Sequence, residues 1–161
     1  MRARTSADPD VLPMRRRGST LPAARPAAPP PAGADAATMT EALQEIHGRI
    51  DAITINGVLV ATRDGLVLCG ITRGIKDDGV AAMAAAAAGL TAQFTAQAGV
   101  GGPRAAFFEG EAGQVGVFPI DAATLLVLLG ERDTTMGMFN VAAKQTLALL
   151  QQAITRRRSP G

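Results

Sequence analysis

The chain of 161 residues has no tryptophan, no tyrosine and only five phenylalanines. Binding to single-stranded nucleic acid usually relies on aromatic platforms for stacking, so this scarcity argues against it. One cysteine, Cys69, excludes an internal disulfide and any cysteine-based metal cluster, and is compatible with a reducing compartment. One histidine, His47, excludes a histidine metal cluster and leaves a catalytic triad no second histidine to draw on. Charge is missing too: no ionisable side chain stands between Asp78 and Arg104.

The charges that are present are unevenly placed. Residues 1–38 carry six arginines against three aspartates, and Arg156, Arg157 and Arg158 stand together near the other end. The stretch 39–155 holds seven basic and eleven acidic side chains, so the part that folds is acidic although the whole chain has a formal charge of +2. A structured nucleic-acid-binding surface would be basic, which excludes that class a second time.

Residues 1–37 read as a disordered tail, because "LPAARPAAPPPAGADAA" is rich in Pro and Ala and has no hydrophobic periodicity. "MRRR" is followed by no apolar stretch of the kind a signal peptide needs. Two minor readings of the tail are a basic tether to acidic membrane or nucleic acid, and translation from Met39. Order is expected over 38–155, followed by a basic tail at 156–161. Thr38 with Glu41 matches a capping box, and Leu43, Ile46, Ile50 and Ile53 recur on one stripe of a helix over about 38–52. In "GVLVATRDGLVLCGI", Asp64-Gly65 predicts a two-residue type I′ hairpin between strands near 57–62 and 66–71. "RAAFFE" and "QVGVFPI", separated by Gly110 and Gly113, predict a second hairpin. Asp121 then turns the chain into "TLLVLLGE", an apolar run expected to be a central strand covered on both faces. A last helix is expected over 134–155, with Val141, Leu147, Leu150 and Ile154 on one face. The order α-β-β-α-β-β-β-α predicts an α+β fold in which a five-stranded antiparallel sheet lies between helical layers.

The uncharged stretch "GVAAMAAAAAGLTAQFTAQAG" predicts a helix over 77–98 opened by Asp77 and Asp78, whose carboxylates suit the positive end of the dipole. Val80, Met83, Ala87, Leu90 and Phe94 form one stripe, expected to cover the sheet. Ala81, Ala85, Ala88, Ala92 and Ala96, with Gly89 beside them, form the opposite face. A solvated helix face normally carries Lys, Glu or Arg, and this one offers methyl groups and bare backbone. A membrane span is disfavoured because Thr91, Gln93, Thr95 and Gln97 interrupt it. The alanine face is therefore expected to be a docking surface.

The pattern "GVLVATRDGLVL", the small-residue helix, and "AAFFEGEAGQVGVFPIDAATLLVLLGERDTTMGMFNVAAKQTLALL" together resemble Roadblock/dynein light-chain domains. The likeness spans residues 40–155 and is strongest to bacterial members encoded beside Ras-like small GTPases. It implies a homodimer in which the second helix and third strand meet their symmetry mates. The expected contacts are Ala84, Ala96, Ala105 and Phe107. The resemblance also implies that the paired helices form a platform for a Ras-like small GTPase, which on this chain would fall on Ala81, Ala85, Ala88, Gly89 and Ala92. A histidine-kinase-like signalling protein is a further partner expected from the same resemblance.

No phosphate-binding loop is present: "GITRGIK" lacks the Walker spacing, and "GVGGP" precedes a strand rather than a helix. No catalytic residue, metal site or cofactor is expected. His47 and Cys69 read as a packed or surface histidine and a small buried hydrophobe. Arg63, Arg73, Arg104 and Arg132 could serve as trans arginines toward a GTPase, but none lies on the alanine face. Two function classes stand: a non-catalytic GTPase regulator or scaffold, and a small-ligand sensor or signalling scaffold on a profilin-, PAS- or longin-like plan without a GTPase. A cytoplasmic location is expected, with recruitment to the inner face of the membrane through partners.

Overall fold

The computed structural model describes residues 36–159. The chain runs through α1 (Ala36–Ile46), a 3₁₀ turn (His47–Arg49), β1 (Ile55–Thr62), β2 (Val67–Ile71), α2 (Asp77–Gln97), β3 (Ala106–Gly110), β4 (Gly113–Pro119), β5 (Thr124–Glu131) and α3 (Met136–Arg158). The strands form one antiparallel sheet in the order β2-β1-β5-β4-β3. This is the α+β arrangement expected from the element order.

The continuous apolar run of β5 has its cause in that order. β5 is the central strand, and its side chains alternate between two cores. Leu126 and Leu128 join Ile55, Val58, Val60 and Phe118 beneath α1 and α3. Leu125 and Val127 join Leu59, Ala61 and Val117 beneath α2. A strand buried on both faces has no solvated side, so the usual antiparallel alternation of apolar and polar residues disappears along Leu125–Leu128.

Phe139 of α3 is fully buried above two glycines of the sheet. A Cβ at Gly116 would come within 3.0 Å of its ring, and one at Gly130 within 2.5 Å. The ring therefore takes the volume that side chains at those positions would fill. Thr135 caps α3, its hydroxyl oxygen accepting from the Met138 N–H at 3.2 Å. Arg157 joins α3 to α1 by reaching both Glu41 (2.9 Å) and Glu45 (3.1 Å).

Several local expectations are corrected. α1 begins at Ala36, so Thr38 lies inside its first turn and the Thr38–Glu41 capping box does not form. The helix gives way to the 3₁₀ turn after Ile46, which leaves Ile53 exposed instead of on the buried stripe. On α3, Val141 is exposed and Phe139, Ala142, Ala143 and Thr146 take the core positions with Leu150 and Ile154. The β1–β2 connection is not a type I′ turn. Gly65 has φ +88 but Asp64 has no positive φ, and the Gly65 N–H closes a turn onto the Thr62 carbonyl at 3.0 Å. A Cβ makes the left-handed region costly for Asp but not for Gly, and a Cβ at Gly65 would also meet the Ala82 backbone at 3.1 Å. The expected Gly110/Gly113 hairpin is found, with those two residues paired. Asp121 turns the chain into β5 by accepting from the Ala123 and Thr124 N–H groups and the Thr124 hydroxyl.

Candidate functional site

α2 is turned about its axis from the expected orientation: Val80 and Ala87 of the expected stripe pack against the core beneath the helix, but Met83, Leu90 and Phe94 do not. Ala81, Ala84 and Ala88 are buried against Leu59, Ala61, Val117, Leu125 and Val127. Met83, Leu90 and Phe94 point outward and are 71%, 64% and 72% exposed. The sheet explains this. Its own branched side chains already fill the space between the layers, and only methyl groups on the helix let the backbone settle close to them. Turning Met83, Leu90 and Phe94 inward would lift the helix off two full rows of sheet residues.

This orientation redistributes the expected contact residues. Of the five expected to meet a GTPase, Ala81 and Ala88 are buried in the domain core, Ala85 and Ala92 are half-buried, and Gly89 is exposed. Of the expected dimer residues, Ala84 is buried on the inner face of α2 and Ala96 is exposed. Ala105 and Phe107 stand at the β3 edge, partly engaged within the chain. Ala105 packs against the α1/α3 core, and the Phe107 ring meets Phe118 and Phe139 edge-on at 5.5 and 6.3 Å.

The outer face of α2 has two flanks. Met83, Leu90 and Phe94 form a large apolar flank, and Ala82, Ala86 and Gly89 form a small one. A Cβ at Gly89 would meet nothing within 4 Å. Val100, just beyond the helix, and Phe108 on β3 add further exposed apolar surface. β3 is an edge strand of the sheet, and among the described residues it pairs with β4 alone. Sequence reasoning identified the Met83–Leu90–Phe94 stripe by its spacing but assigned it to the core. α2 is also long and apolar enough to cross a membrane by length and composition, yet here it forms one layer of the domain.

The ionisable groups stand apart from this face. Asp77 accepts a hydrogen bond from the Thr72 hydroxyl, and Asp78 lies exposed beside it in the first turn. Arg63, Arg73, Arg104 and Arg132 are exposed and lie outside α2. Cys69 of β2 is half-buried against the α1/α3 core. Burial pushes its thiol pKa up, against a smaller opposing effect of the Thr40 hydroxyl. Among the described residues, no three His, Cys, Asp or Glu side chains are grouped to hold a metal ion.

Residues 43–130, more than half of the chain, match the Roadblock/LC7 domain. A search of curated proteins gave no match. Similar solved structures include the gliding protein MglB from Thermus thermophilus, at 21% identity and TM-score 0.60, covering 77% of this chain and 93% of that one. A structure described as MglB with tetrameric arrangement has the same identity and coverage and a TM-score of 0.61. A Roadblock/LC7 domain from Streptomyces avermitilis is 19% identical with TM-score 0.58, covering 70% of this chain and 94% of that one. At these identities the likeness establishes a shared fold.

Proposed function

The chain belongs to the Roadblock/LC7 family, and from that premise we propose that it is a non-catalytic, homodimeric regulator of a Ras-like small GTPase. The observation that carries this reading is the outer face of α2 beside an open strand edge. Three large apolar side chains and a run of small ones are left in solvent there, with no charge to keep them apart from a partner. Contiguous apolar surface of this kind marks an interaction site, and an unpaired strand edge next to it invites pairing with a second chain.

In the proposed dimer, β3 of one copy pairs with β3 of the other, and the Met83–Leu90–Phe94 flanks meet across the symmetry axis. The small flank around Ala82, Ala86 and Gly89 then stays free as a surface that another backbone can approach closely. The Roadblock resemblance supplies the occupant of that surface, a Ras-like GTPase. The arginines near α2 lie off its outer face, so stimulation of hydrolysis would come from positioning the GTPase's own residues. On the same reading the protein works in the cytoplasm, brought to the inner membrane face by its partners.

Two variants separate the two surfaces. Phe94→Arg buries an unpaired charge in the helix seam and should yield monomers by light scattering. Gly89→Arg has open space for its side chain, so the dimer should survive, while capture of a Ras-like GTPase loaded with GDP or a GTP analogue is lost. A Gly89→Arg dimer that still binds the GTPase, or a wild-type chain that is monomeric at micromolar concentration, would sink the proposal.

A further inference from the structure

α2 covers only part of its side of the sheet. The row Ala106–Val117–Val127–Leu59–Gly70 lies in cross-strand register beneath it. Among the described residues, α2 does not reach over the next row on the same face, Phe108–Val115–Leu129–Gly57. That row forms the floor of an open trough of about 1040 Å³. Leu129 lies across Gly57, where a Cβ would come within 2.7 Å of the leucine side chain, so the floor is smooth and apolar.

One end of the trough is acidic. Glu111 in the β3–β4 turn and Glu131 at the end of β5 line it, while Glu109, in register with Gln114, alternates to the α3 face of the sheet. Glu111 and Glu131 are exposed, and neither forms an ion pair with another described residue. Glu131 accepts a hydrogen bond from Asn56 at 3.1 Å. The basic side chains of the lining, Arg73 and His47, come from the segments after β2 and before β1, at the other side of the sheet.

We propose that this trough is the docking site for residues 11–17 of the same chain, "VLPMRRR". That segment lies outside the described residues, and its composition fits the trough in order. Val11, Leu12 and Met14 are a compact apolar group suited to the Phe108–Val115–Leu129 floor, and Arg15, Arg16 and Arg17 follow at once to meet Glu111 and Glu131. The rest of the first 35 residues has no other cluster of large apolar side chains next to a run of cations. Reach is no obstacle. Residues 18–35 span up to about 60 Å when extended, against a diameter of about 35 Å for a domain of this size. Segments of such composition gain order on binding, through many weak contacts that salt can screen.

The test uses the full chain with a photo-crosslinking p-benzoylphenylalanine at Met14, irradiated and mapped by mass spectrometry. Adducts are expected on residues 108–115 and 129–131. Their yield should fall about fivefold in Glu111→Lys/Glu131→Lys, as expected for losing two exposed ion pairs and gaining repulsion. The fall should be similar in Arg15→Glu/Arg16→Glu/Arg17→Glu, which leaves the sequence of residues 36–159 unchanged, and its melting temperature should match that of the wild type. Adducts on the outer face of α2 or on α1 and α3, yields no higher than from a probe at Ala27, or yields that neither charge reversal changes would each overturn the assignment.

Discussion

Ala84 is where the seating of α2 can be tested most directly. It is 3% exposed and sits between helix and sheet with Ala81 and Ala88. Ala84→Leu adds three carbons to a layer already filled by Leu59, Val117, Leu125 and Val127, so the helix must lift or those rows must shift. Overpacking of this kind costs about 1–3 kcal/mol. For a domain of this size that is a fall in Tm of about 4–12 °C. Helix propensity cannot produce the effect, since Leu and Ala differ by only about 0.2 kcal/mol. Ala86→Leu on the exposed side of the same helix is the matched control and should stay within about 0.5 kcal/mol. Urea and thermal unfolding at two protein concentrations keep any dimer-linked contribution separate, because that part depends on concentration. A neutral Ala84→Leu with a destabilising Ala86→Leu would refute the reasoning and place the bulky stripe against the sheet.

Gly130→Ala should destabilise by about 1–3 kcal/mol, because its Cβ would come within 2.5 Å of the buried Phe139 ring. In a double-mutant cycle Phe139→Leu should recover part of that loss, and additivity would mean that the ring is not the obstacle. Asp121 gives a pH signature. Burial works to raise its pKa, but hydrogen bonds from Thr124 and Ala123 and the charge of Arg158 outweigh it and hold the carboxyl below its ordinary value. A lowered folded-state pKa contributes stability above the unfolded value near 3.9, which is lost as the pH falls through the folded value. Denaturant midpoints of the wild type should therefore drop below about pH 4, and Asp121→Asn should flatten that drop. Parallel profiles for the two proteins would show that Asp121 does not contribute to it.

Much of the fold was legible because its signals are local. Gly110 and Gly113 marked a hairpin, Asp121 a turn, and an apolar run of strand length in β5 marked a strand with both faces covered. Each depends on residues close in sequence, where backbone sterics and period decide the outcome. The boundary of α1 and the β1–β2 turn were misread for the opposite reason. Met39, Ala42, Leu43 and Ile46 pack into the α1/α3 core, and Gly65 lies against Ala82 of a helix that follows it in the chain.

The candidate site shows the division most clearly. The sequence by itself predicted a helix over 77–98 without a charged face, and therefore that part of its surface needs something other than water against it. It did not determine which part. Both sides of α2 are apolar, one large and one small, so periodicity defines two stripes without ranking them. Only the tertiary structure decided between them, because the choice depends on the volume already filled by the facing strands. Leu59, Val117, Leu125 and Val127 occupy the interlayer space, so Ala81, Ala84 and Ala88 turn inward and Met83, Leu90 and Phe94 are left facing out.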